Sequence, residues 1–200
     1  VRAIQYEPLY PSQEEIQEQQ KNEQLDQIPI LPNDPILGKR SAAKTIIAFE
    51  DLSCGKCKEQ SELLNKLIKK HPNQVKVVWK SLPVKRVPFS SREAHEYAYC
   101  IHQQNKFKKF SEFAFANSNN LNTPILEQIT QKMELNQEQL NSCLNSNKPS
   151  QYLRKNKQLA TLLNVKSVPT FFINNEQIKT PEVLSGWESL LELESTNSNE

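Results

Sequence analysis

The run Ile46-Ile47-Ala48-Phe49-Glu50-Asp51-Leu52-Ser53-Cys54-Gly55-Lys56-Cys57 decides how this chain is read. Its first half is short, apolar and β-branched, the composition of a buried strand. It gives way to a helical pattern with Leu63, Leu64, Leu67 and Ile68 at three-to-four spacing. The two cysteines therefore fall where a strand hands over to a helix. A helix N-terminus presents unpaired amide donors and partial positive charge, and both favour a thiolate over a thiol. Cys54 stands to gain most from this, and Lys56, with Gly55 in the spacer, adds a second positive contribution. Cys57, one turn into the helix, is placed to attack a mixed disulfide formed at Cys54.

Other chemistries fit the pair less well. A structural zinc site wants four ligands, usually as a second close pair. Cys100 and Cys143 stand alone, with no histidine at ligand spacing. A purely structural Cys54–Cys57 bridge closes too short a loop to add much stability. A Cu(I) carrier would use both thiolates but expects methionine ligands, and Met133 is the single methionine. A non-catalytic binding module would have no use for an intact C-x-x-C. No metal is expected, and the remaining reading is thiol redox chemistry.

A second feature lies far along the chain. Ser167-Val168-Pro169-Thr170-Phe171-Phe172-Ile173-Asn174 places a proline at the head of a strand-like run, a position where proline is tolerated. Taken with Asp34–Gly38 (DPILG), Phe49–Cys57, Val75–Pro83 (VKVVWKSLP) and Lys106–Asn117 (KFKKFSEFAFAN), it resembles the DsbA-like branch of the thioredoxin superfamily over about residues 34–194. The resemblance implies an α/β thioredoxin-like fold with an inserted α-helical subdomain. It also implies that Pro169 is cis against the sulfurs, with Val168 as the substrate-docking residue. Some DsbA-like relatives carry a second, structural disulfide in the helical subdomain, and Cys100 and Cys143 occupy positions like those; as residues alone they read equally as two buried thiols. If bonded, they would contribute about 4 kcal/mol in the chain-entropy picture.

The implied activity is protein disulfide oxidation without a cofactor, acting on unfolded or reduced secreted proteins. The implied partner is a membrane oxidase of the DsbB or vitamin-K-epoxide-reductase type that resets the pair. Two departures bear on direction. Thioredoxin-like proteins commonly carry a buried acid six residues before the first cysteine, where this chain has Ala48. Glu50 or Asp51 is the substitute proton relay, and strand alternation is expected to turn at most one of them inward. Gly-Lys is neither the Pro-His of strong oxidases nor the Gly-Pro of reductases. Oxidase leads, with reductase and isomerase open.

Composition bounds the rest. Two hundred residues, 36% hydrophobic, suffice for one domain with material outside its core. A net charge of +2 without a basic stripe gives no pointer to nucleic acid, and a monomer is expected. No apolar run reaches the 18 or so residues that cross a membrane, and no signal peptide is visible. Four cysteines as two pairs fit an oxidising compartment. Residues 1–33 are poor in aliphatics and read as a spacer, helical or disordered over Ser12–Gln27. The expectation is an extracytoplasmic protein, tethered or secreted through a removed N-terminal segment.

The domain is expected over 34–194, as core 34–90 and 164–194 around a helical insertion at 91–163, with a polar tail at 195–200. Within the insertion, helices are expected from Ser91, over Lys106–Ala116, from Thr123-Pro124, over Asn136–Cys143 and over Gln151–Leu163. The aromatic stripe Phe107, Phe110, Phe113 and Phe115 reads as core. His95 and His102, seven apart and so on similar faces of one helix, are read as having no carboxylate or cysteine partner and make a poor metal pair. His71 reads as a capping or surface residue. Asn174-Asn175 reads as a hairpin turn, followed by a last helix from Pro181 with Val183, Leu184, Trp187, Leu190 and Leu191 toward the sheet.

Overall fold

The structure is a computed structural model that describes residues 27–84 and 90–193. Five strands form one sheet: β1 (Ile36–Gly38), β2 (Lys44–Glu50), β3 (Val75–Ser81), β4 (Thr170–Ile173) and β5 (Glu176–Ile178), in the order β1-β3-β2-β4-β5. The β2–β3 pair is parallel, as a helical crossover requires, and the other three pairs are antiparallel. That crossover is helix α1 (Gly55–Lys70), which starts directly after Cys54.

Alternation along β2 and β3 sorts the core onto the two sheet faces. Ile46, Ala48, Val75, Val77 and Phe171 pack with Leu64 and Leu67 of α1 and with Trp187 of α7 (Leu184–Leu190). Ile47, Phe49, Val78 and Phe172 face Leu159 and Ala160 of α6 (Lys148–Leu162).

Between β3 and β4 stand α2 (Arg92–His102), α3 (Phe107–Ala116), α4 (Thr123–Gln131), α5 (Gln137–Leu144) and α6. Their shared core includes Tyr99, Ile101, Phe107, Phe110, Phe115 and Leu126, and it is continuous with Cys54, Cys57 and Trp79. A disulfide joins Cys100 of α2 to Cys143 of α5. The fold is thus α/β with the helical subdomain carried as an insertion.

The differences from the sequence reading have local causes. The edge strand β1 was not expected, because Pro29, Pro32 and Pro35 mask a three-residue element. Its Gly38 sits at φ +92°, and a Cβ there would lie 2.7 Å from the Val75 carbonyl, so only glycine fits. The spacer expected over 1–33 gives way sooner: Ile28 is buried and its amide donates to Asn175 Oδ1 at 2.9 Å. Lys80 Nζ donates to the Pro29 carbonyl at 2.6 Å and pairs with the buried Asp34, which also accepts from Tyr152 Oη at 2.9 Å. Residues 28–34 are therefore fastened to the sheet. Apart from Gln27, which lies in a bend, the helix expected within Ser12–Gln27 lies outside the described residues, as does the tail at 195–200.

The last helix starts at Leu184, since Val183 is extended (φ −134°, ψ 158°). Trp187 and Leu191 face inward, whereas Val183 and Leu190 are exposed. Asn174 and Asn175, at φ 51° and 66°, make the β4–β5 turn. His71 caps α1 through its backbone but is buried, with Nε2 2.8 Å from Glu188 Oε1.

Candidate redox site

The site begins where β2 ends. Glu50 is the last strand residue, and the chain then turns through Asp51, Leu52 and Ser53, closed by the Cys54 amide donating to the Asp51 carbonyl at 3.0 Å. Cys54 is the N-cap of α1, and its Sγ accepts from the Cys57 amide at 3.3 Å. That is the cap geometry in which a helix end supports negative charge on sulfur. The Cys54 thiol also points at the Val168 carbonyl, 3.7 Å away. The Val168–Pro169 bond is cis, and both residues are half-buried. The distant proline segment and the C-x-x-C pair are therefore neighbours.

Neither cysteine is disulfide-bonded; Cys54 is only 4% exposed and Cys57 is fully buried. Gly55 and Lys56 are exposed on the rim. Cys54 is mostly covered within the apolar cluster that also holds Leu52 and against which Val168 packs.

The two acids before the cysteines were expected to point opposite ways. Both are buried, since Asp51 lies beyond the end of β2 and alternation no longer governs it. Their environments differ sharply. Glu50 has a carboxylate oxygen, Oε1, with no hydrogen-bond partner among the described residues, and the same holds for the nearby Trp79 indole. Burial, then the charge of Cys54, pushes the Glu50 carboxyl up to about 8, against a smaller pull from Trp79. Cys57 is held well above the ordinary thiol range by burial first, then by its hydrogen bond with Cys54 and the charge of Glu50. A neutral carboxylic acid thus stands beside a thiol that resists ionisation.

Asp51 is a hub. Its Oδ1 accepts from the Ser53 amide (2.8 Å) and hydroxyl (2.9 Å); its Oδ2 accepts from the Val84 amide (2.7 Å) and the Ser91 hydroxyl (3.0 Å). Burial alone would raise its pKa, but His95 and the backbone amides outweigh this and hold the carboxyl well below its usual range. His95 Nε2 lies 3.3 Å from Asp51 Oδ1, so this histidine does have a carboxylate partner, contrary to its reading from sequence. His102 goes elsewhere, edge-on to Phe107.

His95, Ser81, Ser91 and Trp79 were missed as site residues. Two weak signals existed. Ser81 is the register partner of Glu50, and Trp79 that of Ala48, so both lie on the same sheet face as the acid. Nothing in the sequence ties His95 to the turn, because the contact spans 43 positions.

Comparisons with known proteins agree with this architecture. The thioredoxin family model matches residues 31–193. The chain superposes on the thiol-disulfide exchange protein alpha-DsbA2 of Wolbachia pipientis with a TM-score of 0.74, at 18% identity, covering 88% of this chain and 95% of that one. It superposes on a periplasmic thioredoxin-like protein from Salmonella enterica serovar Typhimurium with a TM-score of 0.70, at 24% identity, covering 82% and 91%. Among curated proteins it is similar to the Na(+)/H(+) antiporter NhaA 3 of Salinispora tropica, 23% identical over 155 residues, 77% of this chain and 24% of that protein. The chain spans about a quarter of the length of the curated relatives it matches. The fold is that of the DsbA-like thiol-disulfide oxidoreductases. The chain belongs to the thioredoxin family.

Proposed function

We propose that this chain is a protein thiol-disulfide oxidoreductase that introduces disulfides into extracytoplasmic proteins through Cys54 and Cys57. The observation that carries the reading is Cys54 as the N-cap of α1, its sulfur bonded by the Cys57 amide and facing the Val168 carbonyl beside Pro169. The exchange chemistry follows from that placement. A substrate thiolate attacks Cys54 Sγ of the oxidised pair, the Cys54–Cys57 bond breaks, and Cys57 leaves with the electron pair. The buried Cys57 sulfur tolerates charge poorly and takes a proton, for which protonated Glu50 is the donor. A second substrate thiolate then attacks the substrate sulfur of the mixed disulfide. The substrate leaves oxidised and the protein reduced, by two electrons.

Val168 and Pro169 serve as the docking edge for an extended substrate, and Gly55 and Lys56 tune the thiolate from the rim. Of the two candidate relays, Glu50 takes the proton role. Asp51, saturated with donors, is structural. The second disulfide, Cys100–Cys143, supports an oxidising compartment, as does the periplasmic origin of the Salmonella neighbour. A membrane oxidase of the DsbB or vitamin-K-epoxide-reductase type would return the pair to the disulfide. Among the described residues no helix is long and apolar enough to cross a membrane.

The test is the equilibrium of the pair against glutathione, run beside oxidation of a reduced model protein and reduction of insulin. Oxidation of the model protein, lost in Cys54→Ser, is the expected outcome. Insulin reduction without oxidation would make it a reductase, and neither activity would refute the assignment.

A further inference from the structure

His95 reaches from the inserted subdomain to two groups of the redox turn. It sits in the first turn of α2, fully buried, with its ring stacked on Trp79 at 5.3 Å between centroids. Its Nδ1 lies 2.5 Å from Ser81 Oγ at the end of β3. Its Nε2 meets two groups of the turn at once, the Leu52 amide at 3.2 Å and Asp51 Oδ1 at 3.3 Å. Leu52 is fully buried, so its amide loses free energy if left unbonded.

One ring nitrogen cannot serve a donor and an acceptor together. With a lone pair on Nε2, the ring accepts the Leu52 N–H and its Nδ1–H donates to Ser81. With a proton on Nε2, it donates to Asp51 and the Leu52 amide loses that acceptor. The path of residues 51–54, and hence the aim of Cys54 Sγ at the α1 N-terminus, is therefore tied to this imidazole. We infer that His95 is a positioning residue that clamps the Asp51–Leu52 peptide to the helical subdomain and to β3, and so sets the exchange rate and redox equilibrium of Cys54–Cys57. The rate and equilibrium parts rest on the proposed oxidoreductase reading; the clamp itself does not.

The test compares His95→Leu, His95→Asn and His95→Gln in the full chain. Glutamine carries an amide group to the Nε2 position, whereas asparagine reaches only Nδ1. The Leu and Asn variants are expected to exchange disulfides at least tenfold more slowly. Their equilibrium with glutathione should shift about tenfold toward the protein disulfide, which is about 30 mV for a two-electron couple. Their Leu52 amide should exchange hydrogen at least tenfold faster. The Gln variant should return all three readouts to within threefold of wild type.

Unchanged equilibrium and Leu52 protection in His95→Leu would overturn the inference. So would equal loss in all three variants alongside a uniform fall in melting temperature, since that describes packing and not positioning. If wild type exchanges no disulfide but Leu52 protection follows the Leu, Asn and Gln pattern, the clamp stands and the oxidoreductase reading falls.

Discussion

Glu50 and Asp51 are consecutive, chemically alike and both buried, yet they occupy opposite kinds of environment. Asp51 is met by amides of Ser53 and Val84, hydroxyls of Ser53 and Ser91, and the His95 ring. Glu50 faces Trp79 and the two sulfurs, with one oxygen unbonded among the described residues. The first arrangement stabilises a charge and uses it as a structural rivet. The second penalises a charge and keeps a proton at hand. The number of donors, more than depth of burial, separates a carboxylate that builds the site from one that works in it.

The sharpest way to break this contrast is Asp51→Ala. It strands two amides and two hydroxyls, and should destabilise the fold by about 3–5 kcal/mol, read by urea denaturation. Next in size, Glu50→Gln keeps the shape but cannot donate a proton. Exchange at pH 7 should slow by about 10²-fold in stopped-flow fluorescence, with stability little changed below about pH 4.5. Smaller still, Glu50→Met removes a buried carboxyl with one unpaired oxygen among the described residues and should raise stability by about 1 kcal/mol while slowing exchange as Gln does. A stabilised variant that keeps full activity would erase the functional half of the comparison.

The pH dependence sharpens it further, because the two acids act with opposite sign. Glu50 binds its proton more tightly folded than unfolded. Its contribution is most favourable below about 4.5 and is lost as pH rises toward about 8, with a slope of at most about 1.4 kcal/mol per pH unit. Asp51 is depressed, so its contribution is complete above 3.8 and is lost as pH falls below that value. Denaturation series at fixed pH should show Glu50→Gln flattening only the fall between about 4.5 and 8, and Asp51→Asn only the fall below 3.8.

Most of the architecture was legible because it rests on periodicity. Two strand-like runs flanking one helical pattern specified β2-α1-β3, and the loss of strand signals after Ser91 specified the insertion. The short edge strand β1 was hidden, because three residues among prolines carry too little pattern to read. Leu190, expected to face the sheet, is 43% exposed, since a seven-residue helix leaves room for few inward positions.

By itself, the sequence determined the elements and the chemistry placed at their junction. A β-branched run, an amphipathic helix and two cysteines between them are local facts, carried by backbone geometry and residue type. Only the tertiary structure decided what surrounds that junction. It brought Val168 to Cys54 across 114 positions and His95 to Leu52 across 43, and it gave two amides and two hydroxyls to Asp51 while leaving an oxygen of Glu50 without a donor among the described residues. Hydrogen bonds and desolvation depend on which groups meet in space, and chain order leaves that open until the sheet, the insertion and the returning strand have packed.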